Sequence, residues 1–321
     1  MQGALNIENY MKKKRSSHKL NTELSLLSLP AVIWYIAFCY LPIFGVALAF
    51  KRYRLVPGKS FFYSIFHGSD WVGLSNFRFL MLNPQILRVV RNTLLYNLVF
   101  LVLGIVVPVI LAIILSYIHS GLVRSITQIC MLLPHFMSWV IVSYFVYAFL
   151  SADRGIINNV LNDLGRSPVN FYLKPEVWPF VLVLVHLWKT AGYSMLIYYA
   201  NICGIDSDLY DCAAIDGASV RQVVRFVILP QLKNIVVVLM LLNLGHILST
   251  DFGLFYQVTR NAGSLLSTTE TIDVFVYKAL MEQSNYGFSA AASLIQNGIG
   301  CILLLFASRM VSLVDPEGGI I

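Results

Sequence analysis

Long apolar runs separated by short polar stretches set the plan of this chain. Leu24 to Phe50 is the first run, long enough at about 1.5 Å per residue to cross a hydrocarbon core of about 30 Å, even with Pro30 and Pro42 inside it. Asn92–His119, Ile126–Leu150, Val177–Ile202, Ile235–Ser249 and Phe288–Val311 follow, so six membrane-spanning helices are predicted. Gly104 and Pro108 mark a kink point in the second. Between the first two spans, Lys51 to Arg91 alternates Trp71, Phe77, Phe79 and Leu80 with polar residues, the pattern of an amphipathic segment on the membrane face. Ser151 to Glu176 and Asp251 to Tyr286 read as polar loops, the first closed by aromatic anchors at Trp178 and Phe180. The expected organisation is a polar tail over 1–23, a membrane domain over 24–314 and a short tail over 315–321.

Composition turns that pattern into a class. Of 321 residues, 58% are hydrophobic and 12% charged, against about a quarter charged in soluble proteins, so the chain is an all-α polytopic membrane protein. The net charge of +7 raises nucleic acid as a partner, yet Lys12, Lys13, Lys14, Arg15 and Lys19 crowd beside the first span, where anionic lipid headgroups are the simpler partner. No nucleic acid is expected. The first run is too long for a signal-peptide core and has no small-residue cleavage site after it, so it is expected to remain as a span. Lys and Arg divide almost evenly between the two sides, and the basic cluster flanking the first span is what puts both termini in the cytoplasm. Cys39, Cys130, Cys203, Cys212 and Cys301 have no metal-ligand spacing and are expected to pack, not to ligate.

One polar interlude stands out. In the loop 204–232, Asp206, Asp208, Asp211 and Asp216 precede Arg221 and Arg225, the order a helix dipole favours, and Gly217 offers a left-handed turn ahead of Pro230. The stretch therefore reads as helix, turn, helix and then a span. Its spacing is Asp211-Cys212-Ala213, three residues, Gly217, nine residues, then Val227-Ile228-Leu229-Pro230. This resembles the EAA loop of permease subunits in bacterial binding-protein-dependent ABC importers, with Asp211 where Glu is usual and Cys212 where Ala is usual. Leu133 to Val142, Gly204 to Ser219, Asp251 to Leu265 and Thr268 to Leu280 are similar to the polysaccharide and oligosaccharide branch of carbohydrate permeases.

The resemblance implies a maltose-type (MetI-like) permease fold in the cell membrane, a second similar permease, two ATPase subunits that bind ATP and Mg, an extracytoplasmic solute-binding protein and a carbohydrate substrate. It also makes the loop a cytoplasmic coupling helix. Ala213 and Ala214 would let it approach the ATPase closely, Gly217 would supply the bend, Asp211 and Asp216 would give polar contacts or capping, and Tyr210, Ala218 and Ser219 would complete the coupling segment.

No catalytic centre is visible in the chain itself. Gly58-Lys59-Ser60 ends like a nucleotide-binding loop, but Tyr53 stands where the first glycine belongs, and no HExxH, GxSxG or paired Cys/His arrangement occurs. Neither a metal nor a cofactor is expected in this chain, and the chain is not expected to be an enzyme. Polar groups on span faces are the candidates for a substrate pathway, because unpaired polar atoms facing lipid are costly. His186, Lys189 and Tyr193 share a face of span four, and Asn243 and His246 share a face of span five. His135 and Ser138 in span three and Gln296 and Asn297 in span six complete the set. The alternative, an ion-coupled secondary carrier, calls for buried carboxylates and internal repeats. The spans hold hardly any carboxylate and no clear repeat.

Overall fold

The computed structural model describes residues 25–314, so the expected tails over 1–23 and 315–321 lie outside the described residues. The described residues form two compact units, divided between Asn76 and Phe77. In the first, helix α1 (Ser25–Phe50) widens to π geometry over Ile36–Tyr40 and tightens to 3-10 geometry over Leu41–Phe50, with Pro42 in the first turn of the tight part. The chain then folds back as a hairpin. Strand β1 (Lys51–Arg52) pairs antiparallel with β2 (Asp70–Trp71), and α2 (Phe61–Phe66) lies between them in sequence. Buried Lys51 donates from Nζ to the Ile65 carbonyl at 2.7 Å, and Ser60 caps α2 by accepting from the Tyr63 N–H. Part of the stretch expected to be amphipathic is thus a small folded hairpin.

After α3 (Ser75–Leu82), the second unit contains α4 (Ile86–Ser116), α5 (Gly121–Phe136), α6 (Trp139–Leu150), α7 (Ile156–Asp163), α8 (Trp178–Cys203) and α9 (Ser207–Ile215). It continues through α10 (Val220–Gly245), α11 (Leu266–Thr269), α12 (Ile272–Met281) and α13 (Tyr286–Val314). Among the described residues five helices are long and apolar enough to cross a membrane, and the count is six if the bent pair α5–α6 is one span. Helix α4 packs along α8 on one core built from Ala112, Leu115, Met195 and Tyr198, to which Ile228 and Leu232 of α10 add. A second core gathers Tyr96, Val146, Trp178, Leu182 and Phe255.

Three expectations change. Span three is not one straight helix from Ile126 to Leu150, because α5 and α6 meet at 99°. Pro134 removes a backbone donor from the last turn of α5, Met137 is extended (ψ 137°), and Ser138 starts a new helix by accepting from the Ile141 N–H. Span five begins at Val220, not Ile235, because one continuous helix runs from Val220 to Gly245, with Arg221, Arg225 and Lys233 exposed while Ile228 and Leu232 are buried. A π turn at Val224–Ile228 precedes Pro230, so the proline sits in the first turn of the α segment that resumes at Leu229, as its sequence position suggested. Finally, 251–286 is no polar loop. Leu254, Phe255, Val258 and Leu265 are essentially inaccessible, and α12 buries Ile272 and Val274. Two smaller shifts accompany these: α4 starts at Ile86, ahead of Asn92, and all five cysteines are exposed on the chain instead of packed within it.

Candidate functional sites: a braced polar cavity and an exposed helix

A broken helix inside a membrane exposes carbonyls that water cannot satisfy, and such backbone survives only where protein supplies donors. Here one side chain does it. Lys189 of α8, 8% exposed, donates from Nζ to the carbonyls of Pro134 (3.3 Å), His135 (2.7 Å) and Met137 (2.6 Å), which occupies all three of its donors. Its ammonium lies 5.1 Å from the Trp139 ring centroid. The indole N–H of Trp139 in turn donates to Asp251 Oδ2 at 2.7 Å, and Asp251 Oδ1 accepts from the Gly253 N–H. The break is therefore tied both to α8 and to the buried segment that follows α10.

The end of α10 is braced in the same manner. Asn97 donates to the carbonyls of Ile247 and Ser249, and Gln296 of α13 donates to Leu248 O, Ser249 Oγ and Asp273 Oδ1. Between these two breaks lies a cavity of about 350 Å³. Its walls include His135, His186, Tyr193, Asn243 and His246, together with Asn97 and Asp251. Two imidazoles stack on aromatic rings, His186 on Phe100 at 3.9 Å and His135 on Tyr193 at 4.4 Å, and the Nδ1 atom of each is buried without a protein partner. Such a surface offers ring faces and polar edges together, the pair of features that a pyranose ring with an apolar face and a hydroxyl rim requires.

At the junction of α8 and α10, α9 is a short helix that shows most of its surface. Asp206 caps it by accepting from the Asp208 N–H, and its far end closes with two bonds, Ala218 N–H to Ala213 O (2.9 Å) and Gly217 N–H to Ala214 O (3.1 Å). Gly217 has φ +66°, so this is a Schellman closure that an L side chain resists. Ser219 then starts α10, its N–H and hydroxyl both meeting Gln222 Oε1. Leu209, Cys212 and Ile215 are exposed, Ile215 at 86%, while Tyr210 turns back onto the core of α4, α8 and α10. Burial, with help from Tyr117 and Cys203, raises the Tyr210 phenol above its ordinary value, so it stays protonated.

Residues 104–316 match the family model described as binding-protein-dependent transport system inner membrane component. The chain belongs to this family of permeases. It is 32% identical over 309 residues to the polygalacturonan/rhamnogalacturonan transport system permease protein YteP of Bacillus subtilis, covering 96% of this chain and 94% of the relative. The permease also superposes on a chain of a bacterial ABC transporter involved in import of the acidic polysaccharide alginate, with TM-score 0.82 and 29% identity over 92% of this chain and 97% of that one. A second structure of an alginate transporter, in complex with an alginate pentasaccharide-bound periplasmic protein, gives TM-score 0.81 at 29% identity over 92% and 96%. These matches establish a multi-pass membrane permease with the MetI-like fold.

Of the pathway residues read from the sequence, the permease brings His135, His186, Tyr193, Asn243 and His246 to one cavity. The other four sit elsewhere. Ser138 caps α6, Lys189 and Gln296 brace the two breaks, and Asn297 is exposed and donates to the Ser293 carbonyl of its own helix. Sequence reasoning passed over Asn97, Thr190, Ser194, Ser249 and Asp251, which also line the cavity. Thr190 and Ser194 carried a usable signal, lying four and eight positions after His186 on the same helical face. Asp251 carried none, because it stood at the edge of an apparent loop.

Proposed function

We propose that this chain is one of two permease subunits of an ABC importer for an oligosaccharide, driven by separate ATPase subunits that grip α9 on the cytoplasmic side. The observation that carries the reading is α9 itself: a capped, rigidly closed helix with an exposed small-and-apolar face, covalently joined to two membrane helices. ATPase closure would push α9 as a rigid body, and α8 and α10 would carry the motion to the cavity walls. Ala213 and Ala214 permit close approach, and Asp211 and Asp216 remain exposed for polar contacts. The second permease would supply the other half of the pathway, an extracytoplasmic binding protein would deliver the sugar, and ATP and Mg would be bound by the ATPases alone. The named relatives handle polygalacturonan, rhamnogalacturonan and alginate. Oligosaccharides containing uronic acid are therefore the first substrates to assay.

The test is assembly and uptake. A chain carrying Ile215→Cys, co-expressed with the second permease and the ATPase, should cross-link to the ATPase through a cysteine placed in its cleft. Reconstituted vesicles with binding protein should then accumulate labelled oligogalacturonide only with ATP. Cross-linking from outside the cell, or transport by the purified chain alone, would overturn the proposal.

A further inference from the structure

A second cavity, of about 550 Å³ against about 350 Å³ for the polar one between the spans, lies behind α9 and has a size typical of small-molecule sites. Nothing in the proposed transport cycle uses it. Its walls come from the end of α4, the start of α5, the end of α8, α9 itself and the start of α10. Their chemistry is one-sided. Arg124, His119 and the phenols of Tyr117, Tyr199 and Tyr210 all face it, and no Asp or Glu is among its lining residues.

Arg124 is a fixed charge there, not a wandering one. Its Nε and Nη2 both donate to the Ile118 carbonyl, at 3.1 and 2.5 Å, and the Tyr199 phenol lies beside Arg124 and Cys203 on the same wall. A guanidinium carries five N–H donors, so these contacts leave others for a ligand. His119 stands exposed at the rim, and the Tyr210 phenol, held protonated, adds a neutral donor. A preset guanidinium with phenol donors around it and no competing carboxylate is an anion site, and the fork of Arg matches tetrahedral oxyanions.

We infer that the pocket formed by Arg124, His119, Tyr117, Tyr199 and Tyr210 binds a phosphate ester, and that its occupant links α9 to the ends of α4 and α8. This rests on the reading of α9 as the coupling helix only for its consequence, regulation of transport, and not for the binding itself. The phosphate could arrive as a soluble sugar or glycerol phosphate, or as the headgroup of a lipid of the adjoining leaflet, since four membrane helices, α4, α5, α8 and α10, have an end at the pocket.

Cys203 lines the pocket and is accessible, which gives a direct readout. The full transporter, with Cys39, Cys130, Cys212 and Cys301 replaced by Ser, is treated with N-ethylmaleimide, and the rate of Cys203 labelling is followed by mass spectrometry. With sn-glycerol 3-phosphate at ten times its half-saturating concentration, labelling should slow about tenfold. If it slows only in phosphatidylglycerol nanodiscs, relative to detergent, the source is a lipid headgroup, and the site stands. Protection should be lost in Arg124→Gln and His119→Gln and retained in Arg124→Lys, which keeps the charge if loss of the Ile118 contact loosens the turn. Absence of protection in both settings, or protection indifferent to these substitutions, overturns the inference. Copurification of the ATPase is scored on the same samples. A protected Cys203 in a chain that binds no ATPase would sink the coupling proposal while leaving the phosphate site standing.

Discussion

At the scale of single residues, the permease depends on two side chains whose roles are opposite in kind. Lys189 supplies three hydrogen bonds where a membrane offers none. Replacing it by Met removes the donors and leaves three carbonyls unsatisfied, so Lys189→Met should cost about 2–4 kcal/mol. A lowered midpoint of thermal unfolding in detergent checks this, and a midpoint equal to the parent would remove Lys189 from its structural role. Gly217 works by lacking a side chain. A Cβ there meets nothing within 4 Å, so the penalty of Gly217→Ala is purely conformational, about 1–2 kcal/mol concentrated in the closure of α9. Gly217→Asp carries the same strain plus a charge at the helix end where the dipole is negative. ATP turnover in the assembled importer should continue while uptake falls. Uptake per ATP at the parent value in both variants would exclude a rigid α9 as the lever.

At the scale of elements, helix crossings are set by small residues. Gly192 of α8 lies so close to α5 that a Cβ would fall within the Met131 carbonyl, and the resisting atoms are backbone. Gly192→Ala should therefore push α5 off α8 and destabilise by about 1–3 kcal/mol. Gly298→Ala in α13, where a Cβ meets nothing within 4 Å, should change the unfolding midpoint little or raise it. Equal effects of the two substitutions would refute the packing argument. What the sequence revealed at this scale follows from physics. Hydropathy located α8, α13 and the C-terminal end of α4 within a few residues because an apolar run of twenty has few other uses, and the Gly217 turn was legible because φ +66° requires glycine. The break at Met137 was not legible. Pro134 and Ser138 mark it locally, but the apolar run continues across it, and its stabilising donor sits more than fifty positions away on α8. The buried segment 253–269 misled for a related reason, since its Thr and Ser side chains satisfy backbone groups: Thr259 bonds to Phe255 O, Thr268 to Pro175 O and Thr269 to Leu265 O.

At the scale of the whole molecule, the proposed function assigns the polar cavity and the exposed helix to contacts with other subunits. The chain alone should bind no ATP and hydrolyse none, and adding the ATPase should confer turnover that rises further when the loaded binding protein is added. Isothermal titration of the isolated chain with ATP checks the first part, and measurable binding would contradict it. The cavity was half legible. Five of the nine residues chosen from helical faces border it, because facing polar groups inward is costly to avoid in lipid, while Lys189 and Gln296 answer the same demand by capping backbone instead. Sequence patterns report that a polar group is kept away from lipid, not what it touches.

The clamp on the α5–α6 bend also constrains how the chain is made. Met137 leaves the ribosome more than fifty residues before Lys189, so during synthesis the bend exists for a time without its ammonium. We expect 121–150 to enter the bilayer as a nearly straight hydrophobic rod and to buckle only when the lysine-bearing helix slides in beside it. Nascent chains arrested before and after residue 189 should then differ in the depth at which residues near Ser138 become reachable from water, and identical depths would show that the buckle forms unaided.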